Sequence, residues 1–284
     1  MYRSLNTGAI GVRTDLEGAL TMAKAHGFDA IDFGIGEAQR IAESQGADAL
    51  ARKFEAAGVK PGPWGLPVDW RGDNDKFQQG LSELAAAADL GQRLAALRVT
   101  TWVTPGHNER TRQQQYDFLL GRFRPIARIL ADHGCRLGLE FIGPKTSRTK
   151  LAHEFIYTAG DMLAFAHAIG PNVGLLHDCW HWYTSGGTVE ELKSLEAEDV
   201  VAVHVNDAPA GIERDAQIDN QRLLPMESGV IELPAYLRAL LQIGYDGPVT
   251  VEPFSARLRE LAPEQAVRET AESLRQAWQA AGLG

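Results

Sequence analysis

Four side chains of the kinds that bind metals each lie near the end of a separate apolar run. They are Glu140 in LGLEF, Asp178 in GLLHD, His204 in VAVHVND and Glu252 in VTVEPF. An unpaired buried carboxylate costs roughly several kcal/mol, and proteins usually offset this cost by pairing it or by binding a metal. If the three carboxylates lie apart, each bonds to backbone or to an arginine. Their matching positions favour convergence on one metal ion.

Three carboxylates and one imidazole form an oxygen-rich set of donors with room for two further ligands. Such a set suits an octahedral Mn, Mg or Co ion better than a structural zinc site, although Zn and iron remain open. Cys179 is not expected to be a ligand, because it follows Asp178 directly and adjacent strand residues point to opposite faces.

An open position on this ion could bind a substrate through a carbonyl and an adjacent hydroxyl, the α-hydroxy-ketone unit of a sugar. The cation would polarise the carbonyl and stabilise the enediolate that forms when a proton is lost. Glu140 and Glu252, on opposite sides of the substrate, could remove and return that proton, which gives isomerisation or epimerisation. His181 is predicted to hydrogen-bond the developing oxyanion, and the alternative is a loop histidine that only supports the ligands.

Four further residues are predicted to contact the substrate. Lys145 and Arg214 are cations in long polar stretches that could bind sugar oxygens or a phosphate. Trp102 and Trp64 end apolar runs and could form the apolar surface on which a sugar stacks. For each cation the alternative is a solvated surface charge, and for each tryptophan it is packing in the core.

The elements that must position these residues alternate between strand-like and helix-like stretches along the whole chain. Amphipathic segments such as DLEGALTMAKAHG and LPAYLRALLQIG end at a glycine that suits a helix C-terminus. A doubly wound open sheet is the alternative, but no glycine-rich dinucleotide motif follows the first predicted strand. We therefore predict one (β/α)8 TIM barrel over residues 1–284, with its chemistry at the C-terminal strand ends. The eight predicted strands are residues 5–11, 30–35, 59–66, 96–103, 136–142, 173–178, 200–206 and 249–254.

Two connections are too long to be simple turns. Residues 143–160 follow the fifth predicted strand, and residues 207–229 follow the seventh. Loops of this length in a compact domain are usually functional or disordered. Because both follow the C-terminal end of a strand, we expect them to lie over the mouth of the barrel as a lid. The alternative for 207–229 is a surface insertion without a role.

Composition excludes several classes of partner. The formal net charge is −9 and the isoelectric point is near 5.4, which argues against nucleic acid as a ligand. No apolar stretch reaches the length of a membrane span or has the pattern of a signal peptide. The two cysteines, Cys135 and Cys179, lie in or beside predicted buried strands, so no disulfide is expected. We expect a cytoplasmic protein with a small sugar substrate, and a homo-oligomer remains open.

At its four predicted ligands the chain resembles the xylose isomerase-like TIM-barrel superfamily, the sugar phosphate isomerase and epimerase group. That group includes ketose 3-epimerases and inosose dehydratase. The resemblance rests on GLEF, on HDCWHW with its D-x-x-H spacing, on VHVND and on VEPF. It implies a Mn-type ion on Glu140, Asp178, His204 and Glu252, a proton-transfer pair in Glu140 and Glu252, and a substrate contact by His181.

Two departures from the family pattern bear on the substrate. Ketose epimerases of this group usually have a second glutamate six residues after the strand-five ligand and an arginine soon after the strand-seven histidine. This sequence has Thr146 and Ala210 there, and Lys145 and Arg214 are the predicted replacements.

Three hypotheses for function follow, in decreasing order of support. The first is a divalent-metal-dependent isomerase or epimerase of a sugar or sugar acid, acting through a metal-stabilised enediolate. The second is a metal-dependent lyase or dehydratase on a keto-sugar, by inosose-type dehydration or elimination from a 3-oxo-glycoside. The third is a non-catalytic sugar-binding barrel, which would not need two glutamates in proton-transfer positions.

Overall fold

Eight parallel strands close into a ring in the computed structural model, which describes residues 1–283. Strands that follow one another in the chain are neighbours in the ring, and β8 closes it by pairing Pro248 with Tyr2 of β1. The predicted (β/α)8 TIM barrel is confirmed. The strands are β1 Tyr2–Leu5, β2 Ala30–Phe33, β3 Lys60–Gly65, β4 Arg98–Trp102, β5 Arg136–Glu140, β6 Val173–Asp178, β7 Val200–Val205 and β8 Pro248–Val251.

Helices connect and surround the strands, and their ends are set by local side chains. The first begins where the Asp15 carboxylate accepts from the Gly18 N–H and ends at Gly27, which has a φ of 72°. Short 3-10 turns lie at Ala197–Asp199 and Arg214–Ala216. The helices are α1 Leu16–His26, α2 Ile35–Gln45, α3 Ala47–Ala57, α4 Asn74–Arg93, α5 Arg112–Asp132, α6 Lys145–Arg148, α7 Ala159–Ile169, α8 Cys179–Ser185, α9 Val189–Lys193, α10 Leu233–Gln242, α11 Ala256–Arg259 and α12 Pro263–Ala281.

The core is continuous from the barrel interior to the inner faces of the helices. Every residue of β6 and of β7 is buried, as expected for parallel strands that are covered on both faces. Cys135 and Cys179 are both buried and free. Among residues 1–283, no helix combines the length and the apolar character needed to cross a membrane.

The first predicted strand is wrong in its position. β1 spans Tyr2–Leu5 rather than residues 5–11, and the chain from Asn6 onward forms turns. The Gly11 N–H donates to the carbonyl of Gly8, and Gly11 has a φ of 79°, which a strand residue cannot adopt. The apolar residues Ala9, Ile10 and Val12 that suggested a strand are instead buried under this turn.

The two long connections differ in how they are built. Residues 143–160 contain α6 and a short strand, His153–Glu154, that pairs antiparallel with Gly106–His107. Residues 207–229 contain one 3-10 turn and one antiparallel bridge between Asp207 and Leu223, and they are closed at their base by the buried carboxylate of Asp207. Its two oxygens accept from the backbone N–H groups of Ala208, Ser228, Gly229 and Ile231, at 2.7 to 3.0 Å.

Candidate active site

The four predicted metal ligands meet at the C-terminal mouth of the barrel. Glu140 ends β5, Asp178 ends β6, His204 lies one residue before the end of β7, and Glu252 directly follows β8. The strand register places His204 beside Asp178 on one side and beside Thr250 on the other. One donor atom from each of the four residues lies within 4.8 Å of the donor atoms of the other three. The structure thus brings these residues from four consecutive strands to one point.

The electrostatics of this cluster are those of a site that needs a cation. Burial raises the pKa of Glu140 well above its usual value, and the nearby charge of Glu252 raises it further. Burial would lower the pKa of His204, but the carboxylates of Glu252, Glu140 and Asp178 raise it to about 10. In the protein alone, the imidazole must therefore hold a proton to neutralise its neighbours. A divalent metal would take over that role and displace the proton.

Two buried donor atoms support the fit of a metal to this cluster. Glu140 Oε1 and His204 Nδ1 have no hydrogen-bond partner among the described residues 1–283. They lie 3.7 Å apart, and His204 Nδ1 is also 3.4 Å from Glu252 Oε2. Buried polar atoms are almost always hydrogen-bonded, so two unpartnered atoms that face each other call for a ligand between them. The oxygen-rich donor set suits a hard or borderline divalent ion.

Arg222 enters the site from the long 207–229 connection and was not predicted. Its guanidinium is buried, with Nη1 lying 2.7 Å from Asp178 Oδ2 and 3.2 Å from Glu252 Oε2. Nη2 donates to Asp219 Oδ1 at 2.7 Å, which fixes the orientation of the group. Burial would lower the pKa of Arg222, but Asp178, Asp219 and Glu252 raise it, so the guanidinium stays charged. Phe254, a non-glycine residue with a φ of 41°, packs 4.8 Å from it.

Arg222, and not the predicted Arg214, is the cation of the 207–229 connection that enters the site. The family arginine follows the strand-seven histidine closely, whereas Arg222 is 18 residues after His204. Only the length and polarity of the 207–229 connection pointed to this segment. The choice between Arg214 and Arg222 depends on the path of an irregular loop, which has no periodicity from which it could be predicted.

His181 projects from α8 toward the cluster and is fully buried. Burial lowers its pKa, and the nearby Arg222 lowers it further, so the ring is neutral at pH 7. The Gly143 N–H approaches Nδ1 at 3.3 Å, while Nε2 lies 3.2 Å from Arg222 Nη2 and 4.0 Å from Glu140 Oε1. A neutral imidazole accepts at one nitrogen and donates at the other, so only one of the two donors can be bonded at a time.

The local sequence HDCWHW explains how Asp178 and His181 come to share the site. The strand ends at Asp178, and α8 begins at the next residue with the Trp180 N–H donating to Asp178 Oδ1 at 2.7 Å. Asn206 Nδ2 also donates to this oxygen, at 3.1 Å. The aspartate is therefore both the helix cap and a member of the cluster. Burial would raise the pKa of Asp178, but Arg222 above all, with the two nearby imidazoles and the Trp180 N–H, lowers it to about 2.

The other predicted substrate contacts do not all reach the site. Trp102 is 41% exposed and lines the mouth beside Glu140, whereas Trp64 is 1% exposed and donates its indole N–H to the Ala96 carbonyl in the core. Lys145 pairs with Asp215 at 2.6 Å, on the outer surface of the loops. Arg214 is exposed, and its guanidinium lies 5.4 Å from the ring centre of Tyr183.

Two cavities, each of about 420 Å³, open onto the cluster and share Trp102, Glu140 and Glu252. The first, which we call the β1–β4 cavity, is bounded by residues at the ends of the first four strands, including Asn6, Asp32, Pro63, Thr100 and Thr101. The second, the loop cavity, is bounded by both long connections, including Ser147, Leu151, Asp219, Asn220 and Arg222. Each has the size of a small-molecule site, so a sugar-sized ligand can approach the cluster.

Comparison with known proteins agrees with this architecture. The xylose isomerase-like TIM barrel family model matches residues 20–277. The inosose isomerase of Bacillus velezensis is 22% identical over 267 residues, which cover 92% of this chain and 91% of that protein.

Two solved structures superpose over nearly the whole chain. A xylose isomerase domain protein from Alicyclobacillus acidocaldarius has 31% identity and a TM-score of 0.90, with 99% of both chains covered. The IOLI protein with a bound zinc atom has 20% identity and a TM-score of 0.80, with 98% of both chains covered. Because the family model extends over most of the sequence, the chain belongs to the xylose isomerase-like TIM barrel family.

Proposed function

We propose that this protein is a divalent-metal-dependent isomerase or epimerase of a keto-sugar or keto-polyol. The observation that carries the proposal is the placement of Glu140 and Glu252, which belong to one metal-type cluster and face both cavities. Two carboxylates at one substrate site can remove a proton from carbon and return it. The inosose isomerase relative supports a carbohydrate isomerase and makes a keto-inositol the first substrate to test.

Glu140, Asp178, His204 and Glu252 would hold the ion. When bound, the cation would polarise the substrate carbonyl and stabilise the enediolate that follows proton loss. We propose Mn because three carboxylates form a hard donor set, and Zn is the first alternative because one structural neighbour holds it.

The remaining chemistry is assigned to side chains of this chain. Glu252 takes the proton from the carbon next to the carbonyl, and Arg222, 3.2 Å away, balances its charge. Glu140, which lines both cavities, returns a proton to the opposite face of the substrate carbon. With Nδ1 held by the Gly143 N–H, His181 carries its proton on Nε2 and donates it in a hydrogen bond to the substrate oxygen. The neutral ring provides this contact without adding a charge.

The two long connections are proposed to act as a lid over the single domain. Both contribute to the loop cavity, and Asp219 and Arg222 lie on its wall. Exclusion of water strengthens the electrostatic interactions of the site and protects an enediolate from side reactions. We propose a cytoplasmic location because both cysteines are free thiols, a pattern that is usual in reducing compartments.

Deuterium exchange tests the reaction. The Mn-loaded protein is incubated in D2O with a panel of ketoses and keto-inositols, and recovered substrate and product are analysed by NMR and mass spectrometry. We expect deuterium at the carbon next to the carbonyl for at least one member of the panel. An unsaturated product that absorbs in the ultraviolet would instead indicate elimination and overturn the isomerase assignment, as would the absence of exchange across the whole panel.

Three carboxamide variants supply the controls. At a Mn concentration that saturates each variant, Glu252→Gln should abolish the exchange because it loses the base, and Glu140→Gln should abolish product formation because it loses the group that returns the proton. Glu213→Gln changes an exposed glutamate of the 207–229 connection and should leave the rate unchanged. Full exchange in Glu252→Gln, or full product formation in Glu140→Gln, would contradict their roles in proton transfer.

A further inference from the structure

A further carboxylate, Asp32 of β2, faces the β1–β4 cavity and belongs to neither the metal cluster nor the predicted residues. Its Oδ1 accepts from Ser4 Oγ at 2.5 Å and from Thr250 Oγ1 at 3.2 Å. Ser4 and Thr250 are buried and lie opposite each other on β1 and β8. The carboxylate is thus held by two hydroxyl groups, one from β1 and one from β8, the two strands that precede β2 around the barrel.

The packing around this contact shows that it has little freedom to move. Gly62 of β3 lies against it, and a Cβ atom at that position would come within 2.6 Å of the Ile31 carbonyl oxygen and 2.9 Å of Ser4 Oγ. A larger residue would therefore disrupt the Ser4 contact. The lack of a side chain at Gly62 is what lets Ser4 hold Asp32 in place.

The second oxygen of Asp32 is left for a ligand. Both hydroxyl donors bond Oδ1, and no side chain or backbone group of residues 1–283 donates to Oδ2. Asp32 is only half-buried although it belongs to a strand of the barrel. It lines the same cavity as Glu140, His204 and Glu252. Burial raises the pKa of Asp32, and the nearby charge of Glu252 raises it further, so the ionised carboxylate is costly at this position. A carboxylate that is costly to ionise, is held in one orientation and has one oxygen without a donor is typical of a ligand contact rather than of core packing.

We propose that Asp32 Oδ2 accepts a hydrogen bond from a substrate hydroxyl remote from the carbonyl end that the metal cluster holds, and thereby selects polyhydroxylated substrates. This proposal rests on the proposed function for the orientation of the substrate. A cavity of about 420 Å³ accommodates a six-carbon polyol that reaches from the cluster to Asp32. A site built to accept from a hydroxyl discriminates strongly against an analogue that lacks it, because the acceptor is then left unpaired.

The test measures binding rather than turnover. The Mn-loaded protein is titrated calorimetrically with a keto-inositol and with its monodeoxy analogues, each of which lacks one hydroxyl group. For the wild-type protein we expect one analogue to bind about 10- to 100-fold more weakly than the parent, the usual range for a hydrogen bond to a charged group. Asp32→Asn replaces the charged acceptor by a neutral amide that can only donate a weaker bond to the hydroxyl, so its preference for the parent over that analogue should fall to less than about tenfold and stay well below the wild-type ratio.

Three controls separate a specificity role from a structural one. Asp32→Asn should keep the Mn affinity of the wild-type protein, because the change lies outside the metal ligands. Asp89→Asn, on the exposed face of α4, should keep the wild-type ratio between parent and analogue. Ser4→Ala removes one of the two donors to Asp32 Oδ1, so it should partly reduce the ratio between the affinities for parent and analogue. This substitution is the second variant to test if Asp32→Asn folds poorly.

The outcomes distinguish this proposal from the proposed function. Equal binding of all analogues by the wild-type protein, unchanged ratios in Asp32→Asn, or no binding of any inositol would overturn the role of Asp32. If Asp32 discriminates among the analogues but no deuterium exchange occurs, then the isomerase assignment fails and the specificity site remains.

Discussion

Replacing Arg222 by leucine should reveal how strongly the site depends on a cation. The guanidinium balances the negative charges of Asp178, Asp219 and Glu252, and its side chain is no more than 2% exposed. Removal of one partner from a buried ion pair usually costs about 3–5 kcal/mol, because the remaining charge is left uncompensated. For a chain of this size each kcal/mol changes the unfolding temperature by about 2 °C. We therefore expect the metal-free variant to unfold about 6–10 °C below the wild-type protein.

A divalent ion should restore much of this loss. The four proposed ligands include Asp178 and Glu252, so a cation bound there would neutralise the same carboxylates that Arg222 contacts. At one fixed Mn concentration, the rise in unfolding temperature should be larger for Arg222→Leu than for the wild-type protein. The assay is thermal unfolding followed by circular dichroism, first with a chelator and then with Mn.

Arg214→Leu is the matched control, because Arg214 lies in the same connection but is exposed. Exposed substitutions of this kind usually change stability by less than about 0.5 kcal/mol. Without metal, unfolding temperatures of Arg222→Leu and Arg214→Leu that differ by less than about 2 °C would refute the electrostatic explanation. Such a difference corresponds to about 1 kcal/mol. It would also fail if Mn stabilised both variants equally.

Three further predictions concern the buried charges. Glu140→Gln should raise the stability of the metal-free protein by about 1 kcal/mol, because it removes a carboxylate that neighbouring carboxylates repel. The same change should lower the affinity for Mn at least about tenfold. A loss of stability measured in the presence of a chelator would contradict the first expectation. Asp207→Ala should cost about 3 kcal/mol in urea unfolding and expose residues 207–229 to proteolysis, because four backbone N–H groups lose their acceptor; the exposed Asp89→Ala is the control. Burial lowers the pKa of His177 from its usual 6.5 to about 4. The neutral ring therefore contributes fully to stability above pH 6.5. As the pH falls from 6.5 toward 4, the free energy of unfolding should decrease by about 3 kcal/mol. His177→Gln can still bond the Tyr236 hydroxyl and should show a flatter stability profile over this range; an unchanged profile would rule out His177 as the titrating group.

The barrel and the metal cluster could be predicted because both depend on regular strands. Apolar runs of similar length recur along the chain, and a polar residue at the end of such a run must lie at the strand's C-terminal edge. Glu140, Asp178, His204 and Glu252 are therefore placed by periodicity alone, and strand adjacency brings them together. The first strand was misplaced because the turn that follows it contains the buried apolar residues Ala9 and Ile10, which resemble a strand in the sequence.

The side chains that complete the site could not be found in this way. Lys145 and Arg222 both lie in long connections, and only the folded path of each loop decides that one faces Asp215 at the surface and the other reaches Asp178. Trp64 and Trp102 both lie near the ends of strands, yet opposite directions of their side chains bury one in the core and leave the other at the mouth.

The sequence by itself determined the order of the elements and the identity of the four ligand types. Only the tertiary structure decided which loop cation enters the site and that Asp32 is held by Ser4 and Thr250, residues far from it in the chain. The physical reason is that strand pairing repeats with a fixed period, whereas loop paths and contacts across the barrel depend on packing that no local pattern encodes.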